Sequence, residues 1–318
     1  LARLIKSGRK VAICEQMEPP QKGKQIVRRE VVQVVSPGTA LSENLLDQKQ
    51  NNYLVGLYVD VDRAGLAVTD LSTGDFRVLE REAGELWEAV EQMGPAEILA
   101  PESWAEANGA ACEARFPGLL LTRQEDWYFG YTYAHEALTD HFRVSSLKGF
   151  GCEGLTAGVC AAGGLLCYLQ QNQKGAVSHI TRLSRERTDR YMTLDLVTQR
   201  NLELIATMQE GRREGSLLSV MDHTVTAMGS RLLSDWLANP LTLPDSIVAR
   251  HDAVEELSEA TAGRDRLREE LRGVYDLERL LARIATGRAS PRDVNHIGCT
   301  LGQVPGVLEQ LEQPASGV

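Results

Sequence analysis

Three aspartates offer the most direct route to chemistry. Asp60, Asp62 and Asp70 lie on or beside adjacent strand-like runs, with a fourth, Asp75, closing a turn nearby. Paired carboxylates on neighbouring strands can hold two Mg²⁺ ions for phosphodiester cleavage, as in RNase H-type nucleases. Alternation from Tyr58 puts Asp60 and Asp62 on one face. The plainer alternative is that these are turn and strand-end acids, whose short carboxylates bond nearby backbone N–H groups. No further acid stands at a clearly matching position, and the plainer alternative is favoured.

Gly149-Phe150-Gly151-Cys152-Glu153-Gly154 matches G-x-G-x-x-G and precedes a helical pattern. A dinucleotide site needs an apolar strand feeding that turn and an acidic residue about 20 positions on. Here the preceding 143–148 is short and polar, and no acid lies between Glu153 and Glu186. The expectation is therefore a loop that lets a helix pack closely. No G-x-x-x-x-G-K-[ST] occurs, so no P-loop phosphate cradle is present. The six histidines form no H-E-x-x-H and no pairing with a nucleophile motif, which leaves no assignable catalytic residue. The six cysteines form no C-x-x-C pair and no zinc-ligand cluster. A metal site is not expected, and scattered thiols suit a reducing cytoplasm. Cys160 and Cys167, seven apart, read as one buried helix face.

The chain has 318 residues, 43% hydrophobic and 25% charged, with a net charge of −10. Length and composition predict a soluble protein of two or three domains, with no run long enough to span a bilayer. The charge is uneven. Residues 1–40 carry eight basic against three acidic side chains, net +5, and the remainder is net −15. Any nucleic-acid contact should therefore concentrate at the N-terminal end, around Lys22, Lys24, Arg28 and Arg29. Contact with phosphates and a simple solvated charged face both fit that cluster, and no interleaved aromatic supports base stacking there.

The elements that must position these residues follow from pattern. A strand is expected near Val11–Cys14, then a Pro/Gly/Lys loop and a β-branched run from Ile26 to Val35 that stops at Ser36-Pro37-Gly38-Thr39. Tyr53–Val61, Gly65–Leu71 and Phe76–Leu79 read as an antiparallel meander. Helical Glu82–Met93, extended Glu97–Ala100, helical Glu102–Gly109, extended Leu119–Thr122, helical Tyr133–Phe142 and a small-residue helix near Leu155–Gln171 follow. Three strands and then alternating helices and strands predict an α/β domain with a mixed sheet. From about Thr188 the pattern is all-helical, with apolar stripes at Leu277, Leu280, Leu281, Ile284 and at Val254, Leu257. Ser290-Pro291 starts a further helix, which Pro305 should kink or end early. The opening pattern Leu1, Leu4, Ile5 looks like the end of a longer helix and predicts that the chain is a piece of a longer one.

Several strings, in order, resemble the MutS family of bacterial DNA mismatch-repair proteins. They are Val11-Ala12-Ile13-Cys14-Glu15-Gln16, the basic strand ending Ser36-Pro37-Gly38-Thr39, Gly149-Phe150-Gly151 before Cys160-Ala161-Ala162-Gly163, and Arg200-Asn201-Leu202-Glu203. Thr224-Val225-Thr226-Ala227-Met228-Gly229-Ser230-Arg231, Asp276-Leu277-Glu278-Arg279 and Ala289-Ser290-Pro291-Arg292-Asp293 complete the series. The resemblance implies an α/β remnant of a mismatch-binding domain at 1–38, an RNase H-like connector at 39–187 and the first part of a helical core, or lever, at 188–318.

It implies further that the mismatch-reading Phe motif, the clamp and the ATPase domain lie outside this sequence. ATP and Mg²⁺ would then belong to the whole protein and no cofactor to this segment. The implied partners are mispaired double-stranded DNA, MutL and a second copy of the whole protein, in the cytoplasm. Relatives use the RNase H-like connector without nuclease activity, which leaves a Mg²⁺-dependent nuclease as the alternative only. Lys24, Arg28 and Arg29 are the candidate DNA-backbone contacts, Arg29 best matching the family pattern. The helix Tyr133–Phe142, through His135, Glu136 and Asp140, is the candidate partner-docking face.

Overall fold

The computed structural model describes residues 1–18, 27–173, 177–186, 190–192 and 194–312. The chain divides into two compact units. One comprises Leu1–Asp47, Asn52–Glu186 and Ala285–Gly287; the other comprises Gln48–Asn51, Arg187–Ile284 and Arg288–Val318.

The first unit opens with a short helix α1 (Ala2–Lys6) and a hairpin of β1 (Val11–Gln16) and β2 (Arg29–Val35). These strands pair antiparallel from Val11 opposite Val35 to Gln16 opposite Arg29, with a bulge at Ile13/Cys14. β2 runs into Ser36 and a 3-10 turn over Pro37–Thr39, closed by a capping box between Ser36 and Thr39.

The meander follows as β3 (Leu54–Val59), β4 (Arg63–Asp70) and β5 (Asp75–Glu82), antiparallel as expected. Then come α2 (Leu86–Met93), β6 (Glu97–Pro101), α3 (Glu102–Arg115), β7 (Leu120–Gln124), α4 (Tyr131–Phe142), α5 (Thr156–Asn172) and the two-residue β8 (Ser184–Arg185). α3 continues six residues past Gly109, because one glycine weakens a helix without ending it and Ala110-Ala111-Cys112-Glu113-Ala114-Arg115 are mostly good helix formers. Among the described residues the sheet has the order β7-β6-β3-β4-β5-β8, with β6, β7 and β8 joined in parallel. It is the expected mixed sheet.

Strand alternation builds two apolar layers. Leu54, Ala67, Phe76, Val78 and Leu99 face α5 and α4, whereas Val55, Leu57, Leu66, Val68 and Ile98 face α2 and α3. α5 is buried along Ala157–Leu169, and its amide side chains are confined to its last three residues, Gln170, Gln171 and Asn172. Its approach depends on missing side chains. A Cβ on Gly65 of β4 would lie 2.0 Å from the Ala157 carbonyl carbon, one on Gly163 2.3 Å from Ala134 Cβ, and one on Gly164 2.5 Å from the Phe129 ring. The loop expected to permit close packing contributes little. Gly149 and Gly154 have nothing within 4 Å of a Cβ position, and only Gly151 takes a left-handed φ of 72°. Close approach is made within α5 and the strands beneath it.

The second unit is helical: α6 (Leu196–Asn201), α7 (Leu217–Met221), α8 (Ala227–Ala238), α9 (Pro244–Glu259), α10 (Thr261–Arg272), α11 (Leu277–Ala285) and α12 (Pro291–Glu312). α12 does not end at Pro305, which lies inside a 22-residue helix, so early termination, one of the two outcomes expected of that proline, does not occur. The α11 stripe forms a helix as expected, but it is not that helix's buried face. Leu280 is buried, but Leu281 is 50% and Ile284 41% exposed, and Arg279, Ala282 and Arg283 point inward instead. Val254 and Leu257 of α9 are likewise exposed. The inward arginines are tolerated because each meets carboxylate or carbonyl oxygen, described below.

Candidate functional sites

The carboxylates of the nuclease alternative do not converge. Asp60 donates its N–H to the Arg63 carbonyl at one end of β4, and Asp70 ends that strand at the other. Seven residue steps along the strand separate those ends by about 23 Å, too far for both to serve one site whose two metals lie about 4 Å apart. Asp70 is buried and committed: its Oδ1 accepts from Ser72 N (2.8 Å) and Ser72 Oγ (2.6 Å), and its Oδ2 from Asn52 N (2.9 Å). Asp60 caps its own turn through Val61 N at 2.8 Å, and Asp62 is exposed at the hairpin tip. Asp75 pairs with Arg77 at 2.8 Å. Among the described residues no group of three or more His, Cys, Asp or Glu is placed to hold a metal. These are turn acids.

Of the basic candidates, Lys24 lies outside the described residues, as does Lys22. Arg28 and Arg29 stand at the end of the hairpin farthest from Ser36, with Arg29 opposite Gln16. Both are exposed, and the Arg28 side chain pairs with Glu30. An ion pair this open contributes little, so a phosphate oxygen can displace it. The near end of the hairpin is anchored by a residue that the sequence pattern treats only as the start of a strand. Glu97 is fully buried and accepts from Ser36 Oγ, Gly38 N (3.0 Å), Thr122 Oγ1 (2.6 Å) and Tyr168 OH (2.9 Å). Burial, with the Glu97 charge, holds the Tyr168 hydroxyl far above its ordinary range. Lys10 Nζ sits 4.8 Å from the Tyr168 ring centre, and burial lowers its pKa against the opposing pull of Glu97. The legible signal was an acid at the head of the otherwise apolar Glu97-Ile98-Leu99-Ala100.

On α4, Glu136 and Asp140 are exposed one turn apart, and the partly buried His135 ring lies 5.8 Å from that of Tyr131. The three candidate docking residues thus share one helix with a solvent-facing acidic row.

The second unit holds polar clusters that sequence reasoning missed. Arg231, 4% exposed, donates to Asp276 through two bonds (2.6 and 3.0 Å), to Glu278 Oε2 (2.6 Å) and to the Gln48 carbonyl (3.0 Å). Arg279 donates to the Gln50 carbonyl at 2.6 Å, and Arg283 to Asp293 at 2.7 Å. Asp222 gathers Arg213, Thr224, Ser230 Oγ (2.7 Å) and Lys49 Nζ (3.0 Å). Burial would raise the Asp222 carboxyl, but hydrogen bonds from Thr224, Ser230 and Lys49 outweigh it and hold the pKa well below the usual carboxylate range. These pairs join α8, α11, the start of α12 and the segment 48–51 into one body. Three strings that carry the family resemblance, ending at Arg231, Arg279 and Asp293, supply most of its members.

Comparison with known proteins covers nearly the whole chain. Family models described as MutS domain I, MutS domain II and MutS domain III match residues 1–44, 52–181 and 197–317. The DNA mismatch repair protein MutS of Chlorobaculum tepidum is 42% identical over 317 residues, covering 98% of this chain and 36% of the relative. Proteins of the same name from Chlorobium phaeovibrioides and Salinibacter ruber are both 41% identical, over 98% of this chain and 36% and 35% of their own lengths. The chain spans about a third of the length of these curated relatives. With three domain models in register and such identity throughout, the chain belongs to the MutS family.

Proposed function

We propose that this chain works in DNA mismatch repair as the section that joins a DNA-contacting end to a nucleotide-driven end of a longer protein. In this role residues 1–38 complete a mismatch-binding domain, 39–187 form the connector and 188–318 begin the lever. The whole protein binds mispaired double-stranded DNA, pairs with a second copy and recruits MutL in the cytoplasm, and its ATP and Mg²⁺ are held outside this segment. The hairpin arginines Arg28 and Arg29, with Lys24, contact the DNA backbone, and His135, Glu136 and Asp140 face the partner protein.

The Arg231–Asp276–Glu278 network, built on a buried guanidinium, carries this proposal. A lever transmits displacement only if its helices do not slide, and a guanidinium held by two carboxylates and a carbonyl fixes register in a way that apolar packing does not. No helix among the described residues is long and apolar enough to cross a membrane.

The test is an anisotropy titration against matched and G·T-mismatched duplexes with Mg²⁺ present and salt varied. Weak, strongly salt-dependent binding without discrimination is expected, with the DNA intact on a gel afterwards. Replacing Arg28 and Arg29 by Ala should lower the salt slope by about 1 for each phosphate that is no longer neutralised. Binding that prefers the mismatch, ignores salt, or cuts the DNA would overturn the proposal.

A further inference from the structure

An aromatic cluster lies just before and within the first turn of α4. Tyr128 stacks on Trp127 with ring centres 3.6 Å apart, and Tyr133 meets Trp127 edge-on at 4.8 Å. The platform is braced. The Tyr128 hydroxyl accepts from Gln171, and the Trp127 indole N–H is held by the Glu125 carboxylate. Yet Trp127 remains 51% and Tyr133 38% exposed. Large aromatic surface left open on a fixed platform is the composition of a binding hot spot, and bracing reduces the ordering that binding requires.

An exposed aromatic platform can stack nucleic-acid bases or hold a cation, and the surrounding charge decides between them. Residues 123–142 carry Glu125, Asp126, Glu136 and Asp140 against Arg123 alone, and all four acids are exposed. Glu125 touches Trp127, and Glu136 lies one turn from Tyr133 on the same side of α4. Phosphates would be repelled here, whereas a guanidinium or ammonium gains from ring faces and carboxylates together. We infer that the Trp127–Tyr128–Tyr133 platform with Glu125 and Glu136 is the anchor point for a protein segment presenting arginine or lysine. The inference rests on the docking role proposed above for α4 and specifies the chemistry of its partner. It also moves the centre of that face from His135 toward the aromatic residues that precede the helix.

The test uses the chain and its Trp127→Ala and Glu125→Gln/Glu136→Gln variants, each checked for an unchanged melting curve. Probes are labelled octa-arginine, octa-glutamate and oligo-dT of twelve nucleotides, with purified MutL in a separate arm. Octa-arginine should bind, and Trp127→Ala should weaken it about fivefold or more. General attraction to an acidic protein would not respond to that change. The double Gln variant should flatten the salt dependence, and MutL capture should fall with Trp127→Ala by a similar factor. Octa-arginine binding that is indifferent to Trp127, or oligo-dT binding that depends on it, would overturn the inference. If wild-type chain fails to capture MutL while octa-arginine still depends on Trp127, the docking proposal fails and the cation-binding face stands.

Discussion

Arg231 and Asp276, 45 residues apart in sequence, meet in a two-bond pair of 2.6 and 3.0 Å beneath the surface of the helical unit. Asp276 also stands at the start of α11, where its Oδ1 accepts from Arg279 N at 3.3 Å. One carboxylate thus caps a helix and clamps a second one.

Arg231→Ala should destabilise the helical unit by about 3–5 kcal/mol, because it strands the Asp276 carboxylate in a site built for a cation. Arg231→Lys should recover little of this, since an ammonium cannot fill the fork. Urea unfolding followed by circular dichroism would read it. A loss below about 1 kcal/mol for Ala would show that the network does not hold the helices together.

Glycines separate by position. Gly65→Ala should destabilise the sheet unit by about 3 kcal/mol or more, since its Cβ would overlap the Ala157 carbonyl and push α5 off the sheet. Gly149→Ala and Gly154→Ala, where nothing lies within 4 Å, should be close to neutral. Equal losses in chemical denaturation would contradict the close approach seen at Gly65.

The acid limb of stability should depend on Asp222. Its folded pKa is depressed, so its contribution is present above the unfolded value near 3.8 and is lost as pH falls below it. Asp222→Asn should therefore be the less stable protein at pH 7 but show a shallower decline between about pH 4 and 2. Parallel declines in the two proteins would rule out this carboxylate as a source of the acid sensitivity.

Thiol reactivity should split the six cysteines into two and four. Cys14 and Cys299 are exposed, whereas Cys112, Cys152, Cys160 and Cys167 are buried. Burial pushes the thiols of Cys152 and Cys160 up to about 11, so at pH 8 almost none of either is thiolate. An aromatic disulfide reagent should titrate two thiols quickly in the native protein and four more on unfolding. A third fast thiol would indicate that α3, α5 or the turn before α5 opens readily.

Local chemistry was legible where neighbours in sequence decide it. The meander could be read from β-branched runs and short polar turns, and the start of α12 from Ser290-Pro291, where Ser290 Oγ and Asp293 Oδ2 lie 2.8 Å apart. α11 was legible as a helix but not in its orientation. Its apolar stripe competes with Arg279 and Arg283, and the arginines point inward because Gln50 and Asp293 supply oxygens that no pattern within α11 contains. Pro305 does not end α12 for a related reason: a proline removes one N–H and bends a helix, but packing along the other residues can carry the helix past it.

By itself the sequence determined the order of elements, the mixed sheet followed by helices, the basic N-terminal end and, through its ordered strings, the family. Those properties are written in period, composition and order along the chain. Only the tertiary structure decided that Glu97 anchors the hairpin and that Arg231 finds Asp276. Each depends on the distance between side chains far apart in sequence, and such a distance exists only once strand register and helix packing have set it.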